Sequence, residues 1–90
     1  MSGGAHQADE ARRRRLRWRA RRGLLENDLV MTRFFDRFES SLTDEDVAGL
    51  DRLLALGDGE LLDLILGRRE LDGGAATPEA QRVLAMLRGV

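Results

Sequence analysis

Ninety residues allow one small domain with a marginal core, and no cysteine is present to supply a disulfide, a thiolate metal site or thiol redox chemistry. The formal net charge of −1 conceals a segregation, because residues 11–22 carry eight Arg and no acid while residues 23–90 carry seven Arg and fourteen Asp or Glu. No apolar run approaches the roughly 20 residues of a membrane-spanning helix, and the N-terminus has neither the apolar segment of a signal peptide nor the acid-free composition of a mitochondrial presequence. A soluble bacterial cytoplasmic protein is therefore expected, with the mitochondrial matrix second.

In chain order, Met1 to Gln7 is rich in Gly, Ser and Ala and reads as a disordered tail ahead of a single helical domain over residues 8–90; the only histidine, His6, falls in that tail. Ala8 to Arg22 are good helix formers, with Ala11, Trp18 and Leu25 recurring on one face, and a break or bend is expected near Gly23. Next, Leu24, Met31, Phe35, Phe38 and Leu42 form the clearest helical stripe in the chain. Val30 and Phe34 widen it, and Asp28, Thr32, Asp36 and Glu39 fall away from it. Phe35 and Phe38 are expected in the core; Phe34, at the edge, is available to a partner; Trp18 fits either place.

"LTDED" predicts a helix start, with Thr43 as cap, acids in the first turn and Asp46 at capping-box spacing. Val47, Leu50, Leu53 and Leu54 give that helix its apolar face. Asp58 is the expected cap of a following helix that is nearly apolar all round from Leu61 to Leu66, which predicts a central position. Residues 67–76 read as a loop. Thr77-Pro78-Glu79 then provides a cap, a proline in the first turn and an acid beside it, ahead of a last stripe of Val83, Leu84, Leu87 and Val90. With no alternating β pattern, the fold class is all-α, a small bundle of five helices.

Catalytic chemistry finds little support. The chain lacks Cys, Lys and Tyr, its lone histidine is in the expected tail, and its carboxylates fall at caps or on solvent faces. "DED" is contiguous and does not space oxygen ligands as a calcium loop does, so no metal is assigned. "GDGELL" lacks the third glycine and the preceding strand of a dinucleotide fingerprint. "RRRRLRWRARR" has the charge to neutralise phosphates and a Trp18 to stack on a base, so an Arg-rich nucleic-acid-binding module is the principal alternative. Against it, the arginines surround the helix and the rest of the chain is acidic, which favours a solvated or partner-facing basic helix. Membrane-surface binding is disfavoured because Leu16 and Trp18 lie about 200 degrees apart on the helical wheel. A regulatory partner protein of another kind is a further reading.

One stretch stands out, "RWRARRGLLENDLVMTRFFDRFESSLTDED". Within it, Arg22 and Glu26 are spaced as a surface i, i+4 pair, and Gly23 is placed either to cap a helix or to admit a close partner. The set Arg22, Gly23, Glu26 and Asp28 resembles the signature of the SdhE-type flavinylation helpers of succinate dehydrogenase and fumarate reductase. The resemblance continues through Phe34 and Phe35, "SLTDED" and "LDRLLALGDGELLDLIL". The chain departs from the typical pattern at Leu24, Leu25 and Asn27, where a Met, an Arg and a Leu are usual.

The resemblance implies a five-helix, monomeric assembly factor. Such a factor binds the flavoprotein subunit of succinate dehydrogenase or fumarate reductase and promotes covalent attachment of FAD to it, without being an enzyme. It further implies that FAD belongs to the client and is not held stably by this chain. The partner-binding residues would be Trp18, Arg21, Arg22, Gly23, Glu26, Asp28 and Phe34.

Overall fold

The computed structural model describes residues 4–21 and 23–90, and these contain six α-helices, two short 3-10 turns and no strand. The helices are α1 (Gly4–Ala8), α2 (Glu10–Arg19), α3 (Leu25–Phe38), α4 (Asp44–Leu54), α5 (Asp58–Ile65) and α6 (Pro78–Arg88). All but α1 have eight or more residues.

Helix starts follow the local chemistry. Asp9 caps α2 by accepting from the Arg12 N–H. The Thr43 side chain accepts from the Asp46 N–H while the Asp46 carboxylate accepts from the Thr43 N–H, each at 3.1 Å, so the capping box at α4 is complete. Thr77 caps α6 by accepting from the Ala80 N–H, with Pro78 in the first turn, where its missing N–H costs nothing. At α5 the cap is Gly57, one residue ahead of the expected Asp58, which instead begins the helix.

The core is one cluster. It takes Leu16 and Ala20 from α2; Met31, Phe34 and Phe35 from α3; Leu50 and Leu53 from α4; Leu61 and Leu64 from α5; and Ala80, Val83, Leu84 and Leu87 from α6. Phe34 sits edge-on to Phe35 with ring centroids 5.3 Å apart and beside Phe38 at 5.5 Å. Helices α4 and α6 make the most extensive helix pairing, which Gly49 permits: a Cβ there would sit 2.9 Å from Ala80 N and closer still to the Glu79 carbonyl.

Four expectations are corrected. Residues 4–7 are not tail but part of α1, and His6 is buried. Asp44 accepts the backbone N–H groups of Ala5 and His6, and Gln7 donates to the Glu39 and Leu42 carbonyls, which ties α1 to the α3–α4 connection. Met1 to Gly3 lie outside the described residues. Of the Ala11, Trp18, Leu25 set, Trp18 and Leu25 are exposed and Ala11 half-buried; Leu16 of α2 and its C-cap Ala20, one turn apart, are buried in its place. Phe34 is fully buried and unavailable to any partner. Helix α5 fully buries only Leu61 and Leu64, leaves Leu62 and Ile65 half-buried and is followed by an exposed Leu66, so it is peripheral rather than central.

Candidate functional site: an exposed corner between α2 and α3

Helix α2 ends at Arg19, and the last helical bonds there are from Ala20 N to Leu16 O and from Arg21 N to Trp18 O. The chain turns through Gly23 and re-enters helix at Leu25, with the carbonyl of the N-cap Leu24 accepting from the Asp28 N–H at 3.0 Å. No side chain caps α3. Glu26 and Asp28 lie in its first turn, where their charge suits the positive end of the helix dipole. The expected break therefore becomes a corner that presents short-range charge of both signs.

Trp18 is 70% exposed, which decides between its two sequence readings in favour of the surface, and the Arg21 guanidinium lies over its ring at 4.9 Å. Glu26 is exposed and Asp28 half-buried. A groove of about 510 Å³ runs between α2 and α3, with Trp18 and Arg21 on one lip, Asp28 and Thr32 on the other and Met31 and Phe35 in its floor. Arg22 lies outside the described residues, and with it the expected i, i+4 pairing to Glu26. The structure thus brings Trp18, Arg21, Gly23, Glu26 and Asp28 to one corner and removes Phe34 from the set.

Gly23 is exposed and its φ is not in the left-handed region. A Cβ built on it would meet Asp58 Oδ2 at 3.4 Å, an ordinary van der Waals distance. Neither a close contact nor a left-handed backbone therefore calls for glycine at this position.

Sequence reasoning missed two features of the corner. Asn27 is fully buried; its Nδ2 donates to the Asp58 carbonyl at 2.8 Å, joining the first turn of α3 to the start of α5, while its Oδ1 has no donor among the described residues. Leu25 and Leu29, 68% and 48% exposed, leave two large apolar side chains on the outer face of α3. Leu25 stands between Leu24 and Glu26, and no local pattern marks it as exposed.

The basic helix is partly neutralised from within. Arg17 bridges Asp36 and Glu39, each at 2.8 Å, and the hydrogen bond to Asp36 foremost raises its pKa further above the ordinary arginine value. Arg19 pairs with Asp51 at 2.9 Å and Arg14 with Glu10 at 3.3 Å. These bonds turn arginines toward the protein's own acids rather than into a stripe for phosphates. Among the described residues no three His, Cys, Asp or Glu gather as a metal site.

Exposed apolar side chains beside charged groups of both signs, as at this corner, are the surface anatomy of protein interfaces. Residues 14–90 match the family described as flavinator of succinate dehydrogenase. A FAD assembly factor SdhE of Ralstonia nicotianae is 52% identical over 86 residues, covering 96% of this chain and 90% of that protein. Proteins of the same name from Acetobacter pasteurianus and Shewanella oneidensis are each 36% identical, covering 92% and 83% of this chain and 77% and 87% of their own lengths. No solved structure matches. The chain belongs to the flavinator of succinate dehydrogenase family, and is accordingly a maturation factor rather than a catalyst.

Proposed function

We propose that this chain binds the flavoprotein subunit of succinate dehydrogenase, and that of fumarate reductase where present, and promotes covalent attachment of FAD to it. The observation that carries this reading is the exposed Gly23, where a Cβ would meet Asp58 Oδ2 at an ordinary 3.4 Å, with Glu26 and Asp28 of the Arg-Gly-x-x-Glu-x-Asp signature in the helix turn that follows it. Trp18, Arg21, Arg22, Gly23, Glu26 and Asp28 form the client-binding face. The flavin stays with the client, and the helper acts as a monomer in the bacterial cytoplasm; in support, its relatives are bacterial and no described helix is long and apolar enough to cross a membrane.

Mechanism follows from differential binding. A helper with no nucleophile or base of its own accelerates attachment only by favouring the client arrangement in which the acceptor side chain faces the flavin, which raises their effective concentration. Gly23 lets the client backbone come close, and Arg21 and Arg22 offer planar donors to carboxylates or carbonyls. The internally paired arginines of α2 give no support to the nucleic-acid alternative.

The test is covalent flavin on the flavoprotein subunit, read as fluorescence in a denaturing gel, with wild type, Arg22→Ala, Gly23→Arg or Glu26→Ala. Wild type should raise the signal and each folded variant should lower it. A signal indifferent to the wild-type protein overturns the reading.

A further inference from the structure

Among the described residues four large apolar side chains are exposed, and three of them, Trp18, Leu25 and Leu29, lie on the two helices that meet at the α2–α3 corner. Leu25 and Leu29 are one helical turn apart. Each is also one turn from a residue of the groove's outer lip, Leu25 from Asp28 and Leu29 from Thr32, so the pair extends the face that Trp18 begins on the opposite lip. Nothing in the fold accounts for their exposure: the buried stripe of α3 runs through Asn27, Met31, Phe34 and Phe35 on the other side of the helix.

We infer that Leu25 and Leu29, together with Trp18, form the apolar centre of the client interface, with Arg21, Glu26 and Asp28 as its charged rim. This rests on the reading given under Proposed function and adds to it where the binding energy resides. The occupant is an apolar ridge of the flavoprotein subunit bracketed by charged groups. The case for that occupant is continuity, because Leu25 lies inside the signature between Gly23 and Glu26 and is separated from neither by any intervening element. It is also anatomical: aromatic and aliphatic anchors inside a polar rim are how stable protein interfaces are built, with the rim contributing orientation and the centre contributing affinity. A client that seats its backbone on Gly23 must cover Leu25, the side chain two residues on.

The inference assigns different roles to neighbouring residues. Substituting the centre should weaken affinity while leaving the flavinylation reached at saturating helper intact. Substituting the signature should lower the extent reached even at saturation.

The experiment titrates the purified, FAD-loaded but not yet flavinylated flavoprotein subunit with full-length wild type, Leu25→Ser, Leu29→Ser, the double variant and Leu66→Ser. Leu66 is 53% exposed at the end of α5 away from Asp58 and serves as an equally apolar control. Both α3 sites are exposed, so the variants should keep the wild-type melting temperature. Kd should rise about tenfold or more for each single α3 variant and further for the double, Leu66→Ser should match wild type, and covalent flavin should recover at excess helper. Leu25→Met should restore wild-type affinity. If the serine variants bind as tightly as wild type while Gly23→Arg does not bind, the apolar centre is refuted and the client reading stands; if wild type does not bind the subunit, both fall. Sedimentation of the free helper separates the remaining occupant: a concentration-dependent dimer that the serine variants lose would assign the patch to a second copy and overturn the inference.

Discussion

Asn27 in the first turn of α3 donates from Nδ2 to the backbone carbonyl of Asp58 at the start of α5, from a position with no exposed surface. The bond fastens the corner to the rest of the bundle, but the same side chain keeps an Oδ1 with no donor among the described residues. A buried hydrogen bond contributes about 0.5–1.5 kcal/mol and a buried unsatisfied acceptor costs about 1–3 kcal/mol, so the polar side chain is no better than break-even. Asn27→Leu, of similar branching, should leave stability unchanged or raise it by about 1 kcal/mol. Asn27→Asp should lower it by more than about 2 kcal/mol by burying a charge. Urea denaturation of the two variants decides, and a clear loss in Asn27→Leu would show that the Asp58 bond outweighs the unpaired oxygen.

Gly49 has a requirement that other glycines lack. A Cβ on it would press into the backbone of Glu79 and Ala80, which is not the movable end of a side chain. Gly49→Ala should therefore force α4 and α6 apart and cost at least about 2 kcal/mol. Gly59, inside α5, has open space within 4 Å of where a Cβ would stand, and should behave oppositely, gaining about 0.5–1 kcal/mol as Ala. In a domain of this size about 1 kcal/mol moves Tm by roughly 4–8 °C, so thermal melts resolve both.

Acid should loosen α1 first. Burial foremost, then the Arg12 guanidinium, lowers the His6 pKa below its ordinary 6.5; Arg13 on α2 adds to this, and Asp44 and Asp51 on α4 oppose it. The folded state thus prefers the neutral imidazole. Its contribution is complete above pH 6.5 and is lost as pH falls from there through the folded pKa. Asp44, held below its ordinary 3.8 by the His6 and Ala5 N–H groups, contributes above that value and loses its contribution as pH falls through its lowered pKa. Protection factors of the amides at residues 5–8, which correct for the slower intrinsic exchange in acid, should fall in two steps on acidification, and His6→Gln should remove the upper step. Protection that is flat between pH 7 and 5 would contradict the buried imidazole.

Legibility in the sequence follows how local each determinant is. The Thr43–Asp46 and Thr77–Ala80 caps are set within four residues, and both are readable. So is the Met31 and Phe35 stripe of α3, because one helix carries all of it. The Ala11, Trp18, Leu25 pattern fails because it crosses the corner at Gly23, beyond which helical phase is not carried over. Leu16 and Ala20 are obscured by the arginines around them and by the small apolar surface of Ala. Phe34 falls at an edge only if the stripe is narrow, whereas α3 is covered by α5 on one side and α6 on another, which widens its buried face. The His6 position depends on Asp44, 38 residues away, and no local pattern signals it. Of the site, the charged signature is visible as sequence; that a Cβ on Gly23 would meet its neighbour at an ordinary distance needs the position of Asp58.

The most direct measurement is Gly23→Ala, assayed in parallel for melting temperature and for covalent flavin on the succinate dehydrogenase flavoprotein subunit. Because the added Cβ meets Asp58 Oδ2 at an ordinary 3.4 Å and the backbone is not left-handed, Tm should stay within about 2 °C of wild type. Covalent flavin should nonetheless fall, since the methyl group stands where the client must approach. Flavinylation at the wild-type level, or a loss that merely follows unfolding, would contradict the corner as a client-binding surface.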